Sequence, residues 1–163
     1  MTIDELNRMD RRDFVEAAGW VFEHSPWVAE RTWKHRPFAS IDALHREMVQ
    51  QVEQASPDEQ RALLRAHPDL GTRTRVSDAS TSEQAGAGLD RLTLDEFQRL
   101  QTLNMSYRDK FGFPFLFAVK GSTPRDILQA LSLRLQDSPE REYHEALRQV
   151  YRIARFRLED SIS

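Results

Sequence analysis

An all-α fold, a single-domain bundle of about eight to ten helices with one extended irregular aromatic segment, is what the sequence predicts. The first observation behind it is punctuation. Ser25-Pro26, Ser56-Pro57, Thr123-Pro124 and Ser138-Pro139 each pair a hydroxyl that can accept from an orphan amide with a proline whose missing N–H costs nothing at the first helical position. Capping-box spacings add Thr2 with Glu5, Ser56 with Glu59, Ser80 with Glu83, and Thr93 with Glu96. The second observation is period: apolar residues between these starts recur at three and four, the repeat of one helix face. The third is that the single stretch readable as a strand finds no second strand to pair with, and a lone strand leaves its backbone groups unsatisfied.

Taken in order, a helix from Asp10 carries Phe14, Val15, Ala18, Val21 and Phe22 on one face and runs for about a dozen residues. A shorter one follows Ser25-Pro26, with Val28 and Trp33 inward, and stops at Arg36-Pro37. Ser40 caps a helix whose inner face is Ile41, Leu44, Met48 and Val52, ending near Ala55. Ser56 opens the next, Pro57 to about Ala66, which Pro68 ends because proline disfavours helical geometry at the residue before it.

From Gly71 to Ser80 the sequence has no hydrophobic rhythm and reads as a working loop. Ser80 is expected to cap a short helix through Glu83 and Gln84 that dissolves at Gly86-Ala87-Gly88. Thr93 opens a long helix to about Lys110, with Leu94, Phe97, Leu100, Leu103 and Tyr107 on the buried side. Phe111 to Gly121 is apolar, rich in phenylalanine and broken by Gly and Pro: this is the extended segment. Two helices close the chain, Pro124 to about Leu135 and Pro139 to about Leu158.

Composition narrows the function. A length of 163 residues fits one domain, 1–163, and 39% hydrophobic with 30% charged residues of both signs is ordinary for a globular protein. A net charge of −3 and short basic clusters, Arg73 to Arg75 and Arg152 to Arg157, argue against nucleic acid as partner. No apolar run reaches membrane-spanning length and the start, Met1 to Glu5, is acidic where a signal peptide is basic, so no membrane is expected and cytoplasm is the default. The absence of cysteine excludes disulfides, thiolate metal sites and a Cys nucleophile. His24, His35, His45 and His144 lack the spacings that put two imidazoles on one metal, so no metal site is expected. There is no Gly-x-Ser-x-Gly elbow and no phosphate loop.

What remains is histidine, carboxylate, hydroxyl and backbone. His67, at a helix end before the stiff Pro68-Asp69-Leu70-Gly71 turn, is an aimed imidazole, and histidine is the side chain whose unperturbed pKa lies nearest neutrality, suited to moving a proton. The alternative is a cation capping the helix C-terminus. Ser80, Glu83 and Gln84 resemble a bracket for a heterocycle with alternating N–H and C=O edges, or else Glu83 merely completes a capping box. The phenylalanine-rich segment offers free peptide edges to a ligand, or is wedged between helices by its rings. Arg155 and Arg157 on the last helix are expected in solvent unless one turns inward to hold a carboxylate.

Three motifs therefore stand in order: His67-Pro68-Asp69-Leu70-Gly71, Ser80 to Leu89, and Phe111 to Gly121. Together, in a helical chain without cysteine, they resemble the 2-oxo-4-hydroxy-4-carboxy-5-ureidoimidazoline (OHCU) decarboxylase family across essentially the whole chain. The resemblance implies an all-α, homodimeric, cofactor-free carboxy-lyase of urate degradation that takes the small molecule OHCU to (S)-allantoin with release of CO2. Carried over by motif, it makes His67 and Glu83 catalytic. Pro68, the segment Ser80, Thr81, Ser82, Glu83 and Gln84, and the run Phe115, Leu116, Phe117, Ala118 and Val119 become the substrate-binding residues. One departure is Gln136-Asp137 after Arg134-Leu135, where relatives often have a nearby asparagine.

Overall fold

The computed structural model describes residues 1–71 and 77–163. Among them are nine α-helices, one 3-10 turn and no strand: α1 Ile3–Arg8, α2 Arg11–Ala18, α3 Trp27–Trp33, α4 Ile41–Glu53, α5 Pro57–Arg65, α6 Asp78–Gly86, α7 Leu94–Phe111, α8 Pro124–Arg134 and α9 Pro139–Ser161. The all-α expectation holds, aromatic segment included.

Caps decide most boundaries. Thr2, Asp10, Ser40, Ser56, Thr93 and Thr123 each accept a hydrogen bond from a first-turn amide, and Ser56, Thr93 and Thr123 close full capping boxes with Glu59, Glu96 and Asp126. Ser25 does not cap. Its hydroxyl donates to the Glu23 carbonyl at 2.9 Å, and α3 starts at Trp27 with no side-chain cap. The helix expected over a dozen residues from Asp10 closes at Ala18, whose φ of −122° leaves helical geometry, and the chain goes on as a 3-10 turn, Gly19–Val21.

The contacts gather into two compact units, residues 1–66 with 150–163, and residues 67–149. The first packs Phe14, Val28, Leu44, Met48, Val52, Leu63 and Leu64, all fully buried, together with Ala154 and Leu158 from the end of α9. Burying one such Leu or Phe side chain is worth about 1.5–3 kcal/mol, so these apolar stripes hold the helices in place. Arg157 is in this unit and takes the inward alternative, against a carboxylate of the chain itself: it is 2% exposed, with Nη2 3.6 Å from Glu23 Oε2 and Nη1 donating to the Trp20 carbonyl at 3.2 Å. A buried guanidinium needs its partners, and a buried carboxylate supplies one. Arg155 pairs with Asp42 and with Glu159.

His45, also in this unit, is a structural histidine. Its Nε2 donates to the Tyr151 carbonyl at 2.8 Å, and burial holds its pKa below the ordinary 6.5. As pH falls through 6.5 the unfolded chain takes up a proton that the folded chain refuses, so the wild type loses stability on acidification. A His45→Gln variant is expected to show a shallower loss between pH 7 and lower pH in urea unfolding; identical slopes would remove His45 from the linkage.

The second unit is built on α7. Leu100, Asn104 and Tyr107, all buried, stand at spacings of four and three on one face. Leu94, expected inward, is 68% exposed, because the first position of a helix capped by Thr93 turns its side chain outside the stripe. None of the described helices is long and apolar enough to cross a membrane.

Candidate active site

All three motifs lie in the second unit. α5 ends with Ala66 as its C-cap, so His67 is indeed the first residue past the helix, and it is 6% exposed. The turn that follows is held at three successive residues. Asp69 Oδ1 accepts from Arg108 Nη2 at 3.1 Å, the Leu70 carbonyl from Asn104 Nδ2 at 3.0 Å, and the Gly71 amide donates to Gln84 Oε1 at 2.9 Å. Two of those partners are on α7 and the third is on α6. Two of these ties reach backbone groups and one a side chain, and together they hold the turn that follows His67.

Gly71 itself sits at φ +74°, and a Cβ there would lie 2.5 Å from Leu100 Cδ2. Both the left-handed backbone and the packing against α7 therefore require glycine. Gly71→Ala is expected to cost about 2–4 kcal/mol in chemical denaturation, summing backbone strain with overpacking. A loss of only about 1 kcal/mol would leave the backbone strain alone and show that Leu100 yields freely.

The expectation that Ser80 caps the short helix is corrected. Ser77 is the N-cap, its Oγ accepting from the Ser80 amide at 3.1 Å, and α6 begins three residues earlier in sequence than Ser80 would have it. Ser77-Asp78-Ala79-Ser80 contains two serines at cap spacing, and the earlier one wins the helix start. The consequence falls on Glu83. It sits in the second turn, outside capping-box position, so the capping explanation for that carboxylate is gone. Ser80 and Gln84 are buried and Glu83 half-buried, at spacings of three and four on one side of α6, while Thr81 and Ser82 are exposed. Pro68 is half-buried. The helix ends as expected near Gly88, which has φ +79° and forms a Schellman motif: the Leu89 amide donates to the Gln84 carbonyl at 2.9 Å and the Gly88 amide to that of Ala85 at 3.0 Å. Of the loop expected from Gly71 to Ser80, residues 72–76, including Arg73 to Arg75, lie outside the described residues.

The aromatic segment has no regular structure from Pro114 to Val119, and Phe115, Leu116, Ala118 and Val119 are buried with Phe117 half-buried. Every second ring lies on one side: Tyr107 meets Phe113 at 5.9 Å and Phe115 at 5.4 Å between centroids, and Phe115 stacks on Phe117 at 5.8 Å. Such alternation is the signature of extended backbone. Its rings do wedge it against α7, as one of the two alternatives held.

The residues that hold the segment escaped sequence reasoning. The Leu116 carbonyl accepts from Arg134, whose Nε also donates to Glu142 Oε1 at 2.6 Å and whose Cζ lies 4.5 Å from the Phe115 ring centre. The Ala118 amide donates to Gln149 Oε1 at 3.0 Å. Tyr107 Oη donates to the fully buried Glu142 at 2.5 Å, and burial together with that carboxylate raises the phenol pKa well above its usual value, so the phenol keeps its proton. Asn104, Glu142 and Gln149 share one signal that could have found them. Each is a polar residue on an otherwise apolar helix stripe, Asn104 between Leu100 and Tyr107, and Glu142 and Gln149 flanking Ala146 and Leu147.

α7 thus joins the motifs. Asn104 binds the His67 turn, Tyr107 one turn further packs on the aromatic segment, and the turn is bonded to α6 through Gln84. Among the described residues no group of three or more His, Asp or Glu stands where it could hold a metal ion. The available chemistry is an imidazole, a carboxylate, a carboxamide and peptide edges: enough to move a proton and hold a polar heterocycle.

Known proteins resemble this chain in sequence and in fold. A profile described as OHCU decarboxylase matches residues 7–159. The 2-oxo-4-hydroxy-4-carboxy-5-ureidoimidazoline decarboxylase of Halalkalicoccus jeotgali is 51% identical over 160 residues, covering 98% of this chain and 91% of the relative. The uric acid degradation bifunctional protein PucL of Bacillus subtilis is 48% identical over 162 residues, 99% of this chain but 33% of that longer protein. A crystal structure of (S)-allantoin synthase superposes with a TM-score of 0.83 at 34% identity, covering all of this chain and 54% of the other. With a profile that spans nearly its whole length and relatives near half identity, the chain belongs to the OHCU decarboxylase family.

Proposed function

We propose that this protein is a cofactor-independent carboxy-lyase that converts OHCU to (S)-allantoin in urate degradation, with His67 moving the proton and Glu83 assisting it. The observation that carries this is the bonding of α7 and α6 to the turn that follows His67, with the aromatic segment packed on the same face of α7. The relatives are OHCU decarboxylases, which suggests the reaction; the geometry suggests a way to run it.

The substrate is its own electron sink. When the bond to its carboxylate breaks, CO2 leaves and the electron pair passes into the neighbouring C=N of the ring. What the protein must do is hold that carboxylate out of the conjugated plane, steady the developing charge and deliver a proton to one face of the ring carbon. An imidazole before a turn tied at three residues can do the last of these repeatedly from one side. Glu83 fixes either the substrate or the tautomer of His67. Pro68, Ser80 to Gln84 and the peptides from Phe115 to Val119 line the substrate, Thr81 and Ser82 from the exposed side of α6.

Residues 1–163 form an OHCU decarboxylase-like domain, at work in the cytoplasm as a homodimer. Leu94, Met105 and Leu133, each about two-thirds exposed on α7 and α8, are apolar surface that a second copy would cover. Freshly generated OHCU mixed with the protein, followed by circular dichroism, tests the activity. Rapid growth of the (S)-allantoin signal is expected; a rate and a racemic product equal to those without protein would refute it.

A further inference from the structure

The segment from Phe115 to Val119 has no neighbouring strand among the described residues, yet its backbone is not left to itself. Arg134 donates to the carbonyl of Leu116, and Gln149 accepts from the amide of Ala118. In extended backbone the carbonyl of one residue and the amide two residues on point the same way, while both polar groups of the residue between point the opposite way. Arg134 and Gln149 therefore occupy the place of a paired strand along one edge. They leave the N–H and C=O of Phe117 on the other edge.

We propose that Arg134 and Gln149 are positioning residues that set the register of the aromatic segment, so that the Phe117 peptide meets an N–H and C=O edge of the substrate. This rests on the decarboxylase reading above. Arg134 is itself fixed from behind. Its guanidinium pairs with Glu142, which is 0% exposed and also receives the Tyr107 hydroxyl, and it lies over the Phe115 ring. α8 supplies Arg134, α9 supplies Glu142 and Gln149, and α7 supplies Tyr107, so three helices converge on two peptide groups. Gln149 is steadied in turn, its Nε2 donating to Glu145 Oε1 at 2.9 Å.

Because these side chains act on a peptide that binds the substrate before and during reaction alike, their loss should appear in KM and not in kcat. Gln149→Met keeps the length and volume of the side chain and removes the acceptor. KM for OHCU is expected to rise about tenfold with kcat within about twofold, and the Kd of (S)-allantoin in calorimetric titration to rise in parallel. Exchanging the pair, Gln149→Glu with Glu145→Gln, restores an acceptor at the same reach while keeping a donor and an acceptor between the two side chains, and should return KM to within about threefold of wild type. Arg134→Lys keeps a cation beside the buried carboxylate, which truncation to alanine would strand, but cannot serve both Glu142 and Leu116. It too should raise KM.

Lowered unfolding midpoints in Gln149→Met and Arg134→Lys with unchanged KM and allantoin affinity would overturn the proposal, since that is what a purely structural role gives. So would a Gln149→Glu, Glu145→Gln double variant no better than Gln149→Met. Wild-type protein that does not accelerate OHCU decay overturns the decarboxylase reading, and this inference with it; accelerated decay with an unshifted KM in the variants overturns the inference alone.

Discussion

Replacing His67 with alanine is expected to lower kcat/KM for OHCU by about 10²–10⁴-fold, the range that a positioned general acid or base supplies. Allantoin then accumulates at close to the unassisted rate and loses its optical activity, because no group delivers the proton to one face. The size of this effect follows from how the imidazole is held. Pro68 ends helical geometry directly after it, and the next three residues are anchored by Arg108, Asn104 and Gln84. A side chain on a restrained turn loses little freedom when the substrate arrives, so most of its contribution reaches the transition state. The fold should survive, as those anchors bind residues 69–71 and not the imidazole. Far-ultraviolet dichroism of the variant, unchanged beside near wild-type production of (S)-allantoin, would mean that His67 is not the proton carrier.

Glu83→Gln is the second large effect. Glutamine keeps the shape and an acceptor oxygen but abolishes the charge, and kcat is expected to fall about 10²–10³-fold, the size seen when one charge-stabilising group is removed. Ser77 and not Ser80 opens α6, so the substitution breaks no capping box. Unfolding in urea separates the two roles. A destabilised variant with normal turnover would return Glu83 to the structural residues, whereas a stable and inactive one assigns it to the chemistry.

Much of this protein is legible in its sequence because its helices start on side chains whose only local purpose is to cap. Thr2, Ser40, Ser56, Thr93 and Thr123 all do so. The errors have a common cause: a hydroxyl can spend its hydrogen bond in more than one place. Ser25 spends it on the Glu23 carbonyl, and Ser80 yields the helix start to Ser77 three residues before it. Periodicity misplaced Leu94 because the first turn of a helix is not yet committed to its buried face.

The turn at the candidate site was legible because a helix stop and turn residues coincide in one short motif, His67-Pro68-Asp69-Leu70-Gly71. The site was not legible where the work is done over distance. Nothing local to Asn104 announces that it binds the Leu70 carbonyl 34 residues away, nor to Gln149 that it holds an amide 31 residues back. Arg157 shows the same limit from the other side: its charge predicts solvent, and only the fold reveals the buried Glu23 that draws it in. In each case a polar residue on an apolar stripe marked the position, and only the tertiary partner gave the reason.

A crystal structure with (S)-allantoin bound tests most directly whether the turn, α6 and the aromatic segment enclose one small site. The ring and ureido group are expected within hydrogen-bond distance, about 3 Å, of the His67 imidazole and of a peptide group between Phe115 and Val119, with Glu83 alongside. Allantoin bound elsewhere, with the imidazole of His67 turned away from it and from Glu83, would contradict the proposed site and the mechanism built on it.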